Sequence, residues 1–440
     1  MAWGNNSDKV IDEWINKIET NNPSFTSLSI LSFRKPTQKQ FTQLFKALKT
    51  NTNLIELYCS GKVVELEAVQ ALCDSLQVNT ALKSLSVGYA TFGEDLPAVN
   101  TYLKGLSQFK GCLNVDLSGF GLSSNHLDSL IYFFKQNTGI SAINLSSNSI
   151  DSATLTSLGQ AIMENCQYKT SLTLEISANP FTTLQGFFEN FPSEKFQIGE
   201  LNSYDNAIPE AEIGQLISLA KASPILKTLR LSSPTKKEKI PEVFLFEEDC
   251  LQNAQVSCPQ GGVETLLFSG FLFLSLNLHQ SFDFLSSLKS LTVRNSGMGD
   301  QYLLLTLPQL LNCAPSLEHL DLGGNHLTDF SLWASLASPT RLKKICLLGN
   351  SISLENPVPQ QALTGWDHLL QLDLNCNKLT LEGFSQLAGI LIDGLNGMHI
   401  ASDLTVLEVS GHCTDADQDD WLAQAVALQN ARPKLKVYFK

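Results

Sequence analysis

Three short stretches of this sequence carry side chains that could do chemistry. Asp415-x-Asp417-x-Asp419 has the alternating carboxylates of a calcium loop. His412-Cys413, just before it, could open a metal set, and Gly61-Lys62 has the ending of a phosphate-binding loop. None completes its pattern. A calcium loop of this kind needs glycine at its sixth place and glutamate at its twelfth; those places hold Asp420 and Val426. The three acids instead precede a helical stretch, where negative charge complements the helix dipole. A zinc set needs further cysteines or histidines at short spacing. The seven histidines (126, 279, 319, 326, 368, 399 and 412) have no such local partners. Lys62 is followed by Val63-Val64, and no glycine stands five residues before Gly61, so there is no phosphate loop. G-x-S-x-G, H-E-x-x-H and CxxC do not occur. These residues predict no enzyme, no metal and no cofactor.

The composition narrows the partner. Of 440 residues, 43% are hydrophobic and 17% charged, which is a core-forming chain. Acids outnumber bases 43 to 30, giving a net charge of −13, and the five arginines (34, 230, 294, 341 and 432) are scattered. Such a chain is a poor match for nucleic acid or an anionic membrane. The N-terminus has no basic region followed by an apolar one, so no secretory signal is expected. The greasiest stretch, 268–278, falls short of the ~20 apolar residues of a membrane span. Ten cysteines without a CxxC pair predict free, mostly buried thiols in a reducing, cytoplasmic compartment.

What positions these side chains is a repeat. The template L-x-x-L-x-L-x-x-N-x-L is met by Ile140-Ser-Ala-Ile143-Asn-Leu145-Ser-Ser-Asn148-Ser-Ile150 and Leu317-Glu-His-Leu320-Asp-Leu322-Gly-Gly-Asn325-His-Leu327. It is met again by Leu342-Lys-Lys-Ile345-Cys-Leu347-Leu-Gly-Asn350-Ser-Ile352 and Leu369-Leu-Gln-Leu372-Asp-Leu374-Asn-Cys-Asn377-Lys-Leu379. Weaker copies fill the gaps at a mean step of about 29 residues. They give fourteen repeats, from Ile30 to Val409 at the third apolar position, and a closing strand at Leu435-Lys-Val437-Tyr-Phe439. Between strands the apolar spacing changes to three and four, as in Leu66, Val69, Leu72 and Leu76, in Leu155, Leu158 and Ile162, and in Phe384, Leu387 and Leu391. Each repeat is therefore expected to be a short strand, a turn and an amphipathic helix. Alternation turns positions 1, 4 and 6 inward and 3, 5 and 7 outward.

The template asparagine sits where the chain leaves the strand, and its amide can satisfy turn backbone groups. Stacked copies should form a ladder. Asn148, Asn179, Asn206, Asn325, Asn350 and Asn377 keep it; Phe33, Lys62, Ala90, Phe120, Pro234, Phe271, Ser296 and His412 depart from it. Less regular repeats are expected at the departures.

A repeat of 28–29 residues with a long helix resembles the ribonuclease-inhibitor-like leucine-rich repeats. These also occur in Ran GTPase-activating protein, tropomodulin, the sensor ends of NOD-like receptors, and effectors of intracellular bacteria such as Legionella. The resemblance covers residues 25–440. It implies an α/β leucine-rich-repeat solenoid, a right-handed horseshoe with a parallel sheet on the concave face and helices on the convex face. It also implies ligands on the concave sheet. Repeat motifs encode stacking and not chemistry, so the resemblance speaks to fold. The absent phosphate loop removes the nucleotide switch of a complete NOD-like receptor. Repeats continuing to residue 440 are expected to leave no catalytic domain of the bacterial leucine-rich ubiquitin-ligase type.

Solenoid ends need caps. Residues 1–24 are expected to hold an N-terminal capping helix whose apolar face is Val10, Ile11, Trp14, Ile15 and Ile18. Residues 25–440 are expected to form a single solenoid of about fourteen repeats, with a C-terminal cap at 415–440. An insertion at 234–262 reads either as a longer convex helix or as a hinge or partner-facing bulge.

The outward positions form the candidate binding face: Tyr58, Asp116, Glu175, Tyr204, Arg230, Leu267, Arg294, Asp321, Asp373 and Glu408, with Tyr89 beside the row. The order is acidic, then basic and apolar around Arg230, Leu267 and Arg294, then acidic again. Tyrosine and arginine are frequent hot spots, and acidic flanks steer a basic partner. The plain alternative is a solvated strand face. These observations predict a non-enzymatic, monomeric protein–protein interaction scaffold that binds a protein partner through its concave sheet. It would need no cofactor, bind neither nucleic acid nor membrane, and work in the cytoplasm, or in the host cytosol as a bacterial effector. The rival is a Ran-activator-like GTPase-activating protein. None of the first seven repeats places an arginine at positions 3, 5 or 7 for that role.

Overall fold

In a computed structural model the described residues are 7–59, 61–87, 96–109, 111, 114–137, 139–165, 171–189, 198–206, 208–209, 212, 216, 223, 225–232, 263–269, 282–329, 341–355, 368–394, 401–412 and 417–439. The 234–262 insertion and Tyr89 lie outside them. The chain forms two compact units, Met1–Glu212 and Ile213–Lys440.

The first unit holds strands β1 (Ser27–Ser29), β2 (Glu56–Tyr58), β3 (Ser84–Ser86), β4 (Asn114–Asp116), β5 (Ala142–Asn144), β6 (Leu172–Glu175) and β7 (Ile198–Ser203). Each pairs in parallel with the next in chain order. Its helices are α1 (Ser7–Glu19), α2 (Gln38–Ala47), α3 (Leu66–Leu76), α4 (Leu96–Ser107), α5 (Leu127–Gln136), α6 (Ser152–Glu164) and α7 (Gln185–Glu189), again packed in sequence. The second unit holds β8 (Thr228–Ser232), β9 (Thr265–Ser269), β10 (Ser290–Arg294), β11 (His319–Asp321), β12 (Lys344–Cys346), β13 (Gln371–Asp373), β14 (Val406–Glu408) and β15 (Lys436–Tyr438), likewise parallel in chain order. Its helices are α8 (Gly299–Cys313), α9 (Leu381–Asp393) and α10 (Gln418–Ala431). Each unit is an α/β leucine-rich-repeat solenoid. Parallel strands need a crossover between them, and the helix of each repeat supplies it.

The core sits between strands and helices. Position 4 of the repeats in the first unit, Leu57, Leu85, Val115, Ile143, Leu174 and Leu201, is buried throughout. The helix faces of Leu155, Leu158 and Ile162 and of Phe384, Leu387 and Leu391 are buried opposite. One expected member differs. Val69, Leu72 and Leu76 are buried, but Leu66 at the start of α3 is 43% exposed. On α1, Ile11, Ile15 and Ile18 are buried where the helix packs on α2.

The asparagine ladder forms, and it does more than satisfy its own turn. Asn148 Nδ2 donates to Leu145 O within its repeat and to Leu117 O one repeat back, while its Oδ1 accepts from Leu122 N. Asn206 donates to Ile176 O one repeat back and to Ser203 Oγ within its own, while its Oδ1 accepts from Asn179 N, and Asn179 repeats the pattern of Asn148. In the second unit Asn325, Asn350 and Asn377 do the same. Each side chain therefore staples two turns. Positive φ is found before the ladder position whether or not that position holds asparagine: at Gly61, Gly119, Gly324, Gly349 and Gly411, and also at Ser147, Ala178, Asp205, Asn295 and Cys376. A left-handed residue is unfavourable without glycine, and the staple holds it.

Two of the expected departures are substitutes. Lys62 is buried, and its Nζ donates to Ser32 O (2.7 Å) and Arg34 O (2.6 Å) of the preceding turn. His412 Nε2 lies 2.9 Å from Leu374 O and 3.4 Å from Asn377 N, the asparagine's two usual partners. Burial holds the His412 imidazole below its ordinary pKa, as it does His126. The unfolded chain then binds more protons just below the ordinary histidine value, so stability falls as pH drops through about 6.5. Thermal unfolding from pH 7.5 to 5.5 should show this fall. In His412→Asn, which keeps a donor and an acceptor at the ladder position, the fall should be smaller.

A second asparagine row lies where the helices end. Asn79 Nδ2 donates to Leu48 O and Asn51 O, and its Oδ1 accepts from Ala81 N and Leu82 N. Asn137 and Asn165 make the same inter-repeat bonds, and Asn51 reaches Ile18 O of α1. The free carbonyls of a helix C-terminus need such donors.

Candidate functional site

Register aligns position 5 across each sheet. In the second unit Arg230 pairs with Leu267, Leu267 with Thr292, Thr292 with Asp321, Asp321 with Cys346, Cys346 with Asp373, Asp373 with Glu408 and Glu408 with Tyr438. In the first unit the row is Ser29, Tyr58, Ser86, Asp116, Asn144, Glu175 and Asn202. Most candidate residues therefore stand in one of two continuous rows, and those candidates are half-buried. Tyr204 and Arg294 stand at position 7, one row further along.

The acids of these rows are largely engaged by the chain itself. Asp116 Oδ1 accepts from Ser118 N (3.0 Å), Asp321 Oδ1 from Gly323 N (3.1 Å) and Asp373 Oδ1 from Asn375 N (2.9 Å). Asn144, Glu175 and Asn202 make the same bond to the amide two residues on. The strand ladder stops there, so position 5 caps the first turn amide, as Asp and Asn side chains do in turns. Asp116 also accepts from Ser86 Oγ (2.6 Å), and Asn202 donates to Glu175. Glu408 accepts from Gln371 Nε2 (2.7 Å) and Asn375 Nδ2 (2.9 Å). The Tyr58 hydroxyl lies 3.2 Å from Ser84 Oγ. Asp or Asn at position 5 of the best-formed repeats is the sequence signal for this cap.

Arg294 is engaged as well. Its Nε and Nη2 hold the Asp321 carboxylate at 2.9 Å and 2.6 Å to Oδ2, with Nε 3.0 Å from Oδ1. Nη2 also reaches Cys346 Sγ at 3.8 Å, and the Cys346 thiol donates to Asp373 Oδ2 at 3.2 Å. One polar chain thus runs from β10 to β13. The Asp321 carboxylate raises the Arg294 pKa still further, and burial pushes the Cys346 thiol up to about 12, helped by Asp321 and Asp373. Cys346 is a proton donor in this chain and not a nucleophile. The Arg294 side chain is 38% exposed and that of Asp321 20%, so water screens the pair. A double-mutant cycle with Arg294→Ala and Asp321→Ala should give a coupling of about 1 kcal/mol by urea unfolding, at the upper end for a partly exposed pair because the contact is bidentate.

Arg230 differs from every other charged candidate. It is half-buried on β8, and among the described residues it has neither an ion pair nor a side-chain hydrogen bond. Beside it on β9 is Leu267, an apolar side chain on the row that elsewhere carries polar groups. On the first unit the Tyr204 hydroxyl is likewise without a partner among the described residues, and Glu200 is exposed. The pairing leaves Arg230 and Leu267 as the free part of the basic and apolar centre.

Among the described residues no group of three or more His, Cys, Asp or Glu is placed to hold a metal, and no helix is long and apolar enough to cross a membrane. Cys59, Cys73, Cys313, Cys346 and Cys376 are free thiols. Burial pushes the Cys59 and Cys73 thiols up to about 12.

No family model matches the sequence, and no curated protein matches it. Solved structures of leucine-rich-repeat proteins do match. One is an internalin (inlF) from Listeria monocytogenes, at 14% identity over 98% of this chain and 94% of that chain, with a TM-score of 0.43. Another is a chain of the Rad7 and Elc1 complex in yeast, at 14% identity over 98% and 92%, with a TM-score of 0.45. A third is the TLR13–ssRNA13 complex, at 17% identity over 83% of this chain and 44% of that chain, with a TM-score of 0.45. The solenoid assignment stands on the strands, registers and ladders of the chain itself.

Proposed function

We propose that this protein is a non-enzymatic scaffold that binds a protein partner through the exposed face of its parallel sheet, centred on Arg230 and Leu267. The observation that carries the reading is the unpaired, half-buried guanidinium of Arg230 beside an apolar side chain, on a row whose acids Asp321, Asp373 and Glu408 are hydrogen-bonded within the chain. A half-desolvated arginine with open donors gains most from a carboxylate or carbonyl brought by a partner. Tyr204 and Glu200 offer a second contact area on the first unit. On the first unit the ladder residue Asn206 fixes the turn that leaves β7, which carries Tyr204 and Glu200, and a rigid row loses little entropy on binding. We place the scaffold in the cytosol on its cysteine usage, as a monomer, and without cofactor on its incomplete motifs; from the resemblance, the host cytosol would be its setting as a bacterial effector.

Affinity capture from eukaryotic lysate with wild type, Arg230→Glu and Asp321→Ala tests the reading. Capture of one protein by wild type and Asp321→Ala, lost in Arg230→Glu, is the expected result. Equal capture by Arg230→Glu would move the site away from β8 and β9. Acceleration of GTP hydrolysis by a captured small GTPase would replace the scaffold reading with a GTPase-activating one.

A further inference from the structure

We propose that the turns leaving β1 and β2 form a second docking surface, distinct from the area of Arg230 and Leu267, for an acidic protein segment that carries an apolar anchor. Phe33 stands at the ladder position of the first repeat, where asparagine would staple the turn. Its predecessor Ser32 does not take the left-handed conformation found before the ladder residues, and the Phe33 ring is 65% exposed. Around it Leu31 is 55% exposed, Val63 67% and Leu66 43%. The turns that carry them are tied together: Lys62 Nζ holds Ser32 O and Arg34 O, Gln38 Nε2 donates to Val63 O, and Gln38 Oε1 accepts from Glu65 N. A preformed cluster of large apolar side chains on a bound frame is the kind of exposed patch that marks an interaction site.

The charge around the patch selects the occupant. The Arg34 guanidinium lies 5.1 Å from the Phe33 ring centre and 5.7 Å from that of Trp14. Arg34, Lys35 and Lys39 form no ion pair among the described residues. Of the acids near the patch, Asp12 on α1 is taken up by Gln40 Nε2 at 2.9 Å, and Glu13, Glu65 and Glu67 form no ion pair with these bases among the described residues, so the open donors of Arg34 beside the apolar cluster are what select a carboxylate. A planar guanidinium held over aromatic rings presents its donors edge-on, suited to a carboxylate. The repeat has given up a ladder residue here for an exposed aromatic, a local departure of the sort expected at functional positions.

The test uses two fluorescein-labelled synthetic helical peptides with the same Leu and Phe stripe, one with Glu and one with Lys on the polar face, titrated into the full chain by anisotropy. The acidic peptide should bind about tenfold or more tighter than the basic one and weaken with added salt. Phe33→Asn and Arg34→Ser should each reduce its affinity by about tenfold, on the scale of a hot-spot side chain. Phe33→Asn should keep or raise the melting temperature, which separates lost binding from lost folding. Loss of the acidic peptide in Arg230→Glu but not in Phe33→Asn would put it on the sheet face and overturn the proposal. Equal or no binding of both peptides would overturn the proposal. So would dimerisation of wild type lost in Phe33→Asn, or binding to phosphatidylserine vesicles in preference to the acidic peptide.

Discussion

Asn325→Ala should lower the free energy of unfolding by about 3–5 kcal/mol, on the scale of several buried polar groups losing their partners at once. Asn325 is fully buried. Its Nδ2 donates to Val293 O (2.6 Å) and Leu322 O (2.9 Å), and its Oδ1 accepts from Ser296 N (2.9 Å). Alanine leaves these groups without their partner in a site shielded by neighbouring turns. The preceding Gly324, at φ 67, loses the staple that holds the turn. Asn325 N itself donates to Asn350 Oδ1, so the neighbouring rung is loosened too. Urea unfolding followed by circular dichroism measures the change. A loss below about 1 kcal/mol, the net value of a single hydrogen bond, would mean that water replaces the staple and that the ladder is decoration.

Trp421→Ala should cost about 3–5 kcal/mol, the usual range for removing a large buried aromatic. Trp421 is 1% exposed and stacks on Phe384 at 4.9 Å between ring centres, with His412 on the same ring system at 6.2 Å. Its Nε1 donates to Asp417 Oδ2 at 3.3 Å. The ring therefore joins α10 to α9 and to the histidine that ends the asparagine ladder. Repeats contact only their neighbours, so the damage should be local. Hydrogen exchange should lose protection first at the amides of β14 and β15, while those of β8 to β10 change least. Uniform loss across all strands of the unit would contradict a solenoid in which stability is built repeat by repeat.

Much of the fold is legible in the residues because each repeat restates it. The apolar spacing at positions 1, 4 and 6 places every strand from β1 to β15, and the three-and-four spacing marks helices such as α6 and α9. What the template does not show is which chemistry can stand in for its asparagine. Lys62 and His412 fill the same need with a different shape, since a buried carbonyl asks only for a donor at the right reach. The second ladder, Asn51, Asn79, Asn137 and Asn165, was visible as spacings of 28 and 58 but lies outside the strand template.

The binding face was harder to read, for a physical reason. An outward Asp at position 5 has the same address whether it meets a partner or its own backbone two residues on. Asp116, Asp321 and Asp373 do the latter. The outward arginines likewise look alike in sequence, yet Arg294 is spent on Asp321 and Arg230 is not. Which of two identical side chains stays free depends on what the next strand carries within reach: Asp321, opposite Thr292 and so diagonal to Arg294, in one case, and Leu267 directly opposite Arg230 in the other.

The dissociation constant of the captured partner for purified wild type and Arg230→Glu, measured by titration calorimetry, tests the central claim most directly. The scaffold reading predicts stable binding without turnover, weakened about thirtyfold or more by Arg230→Glu, as expected for loss of a central hot spot of about 2 kcal/mol. Unchanged melting temperature of the variant should accompany the loss. Equal affinity of the two forms would contradict the claim that the sheet face around Arg230 and Leu267 is where this protein binds.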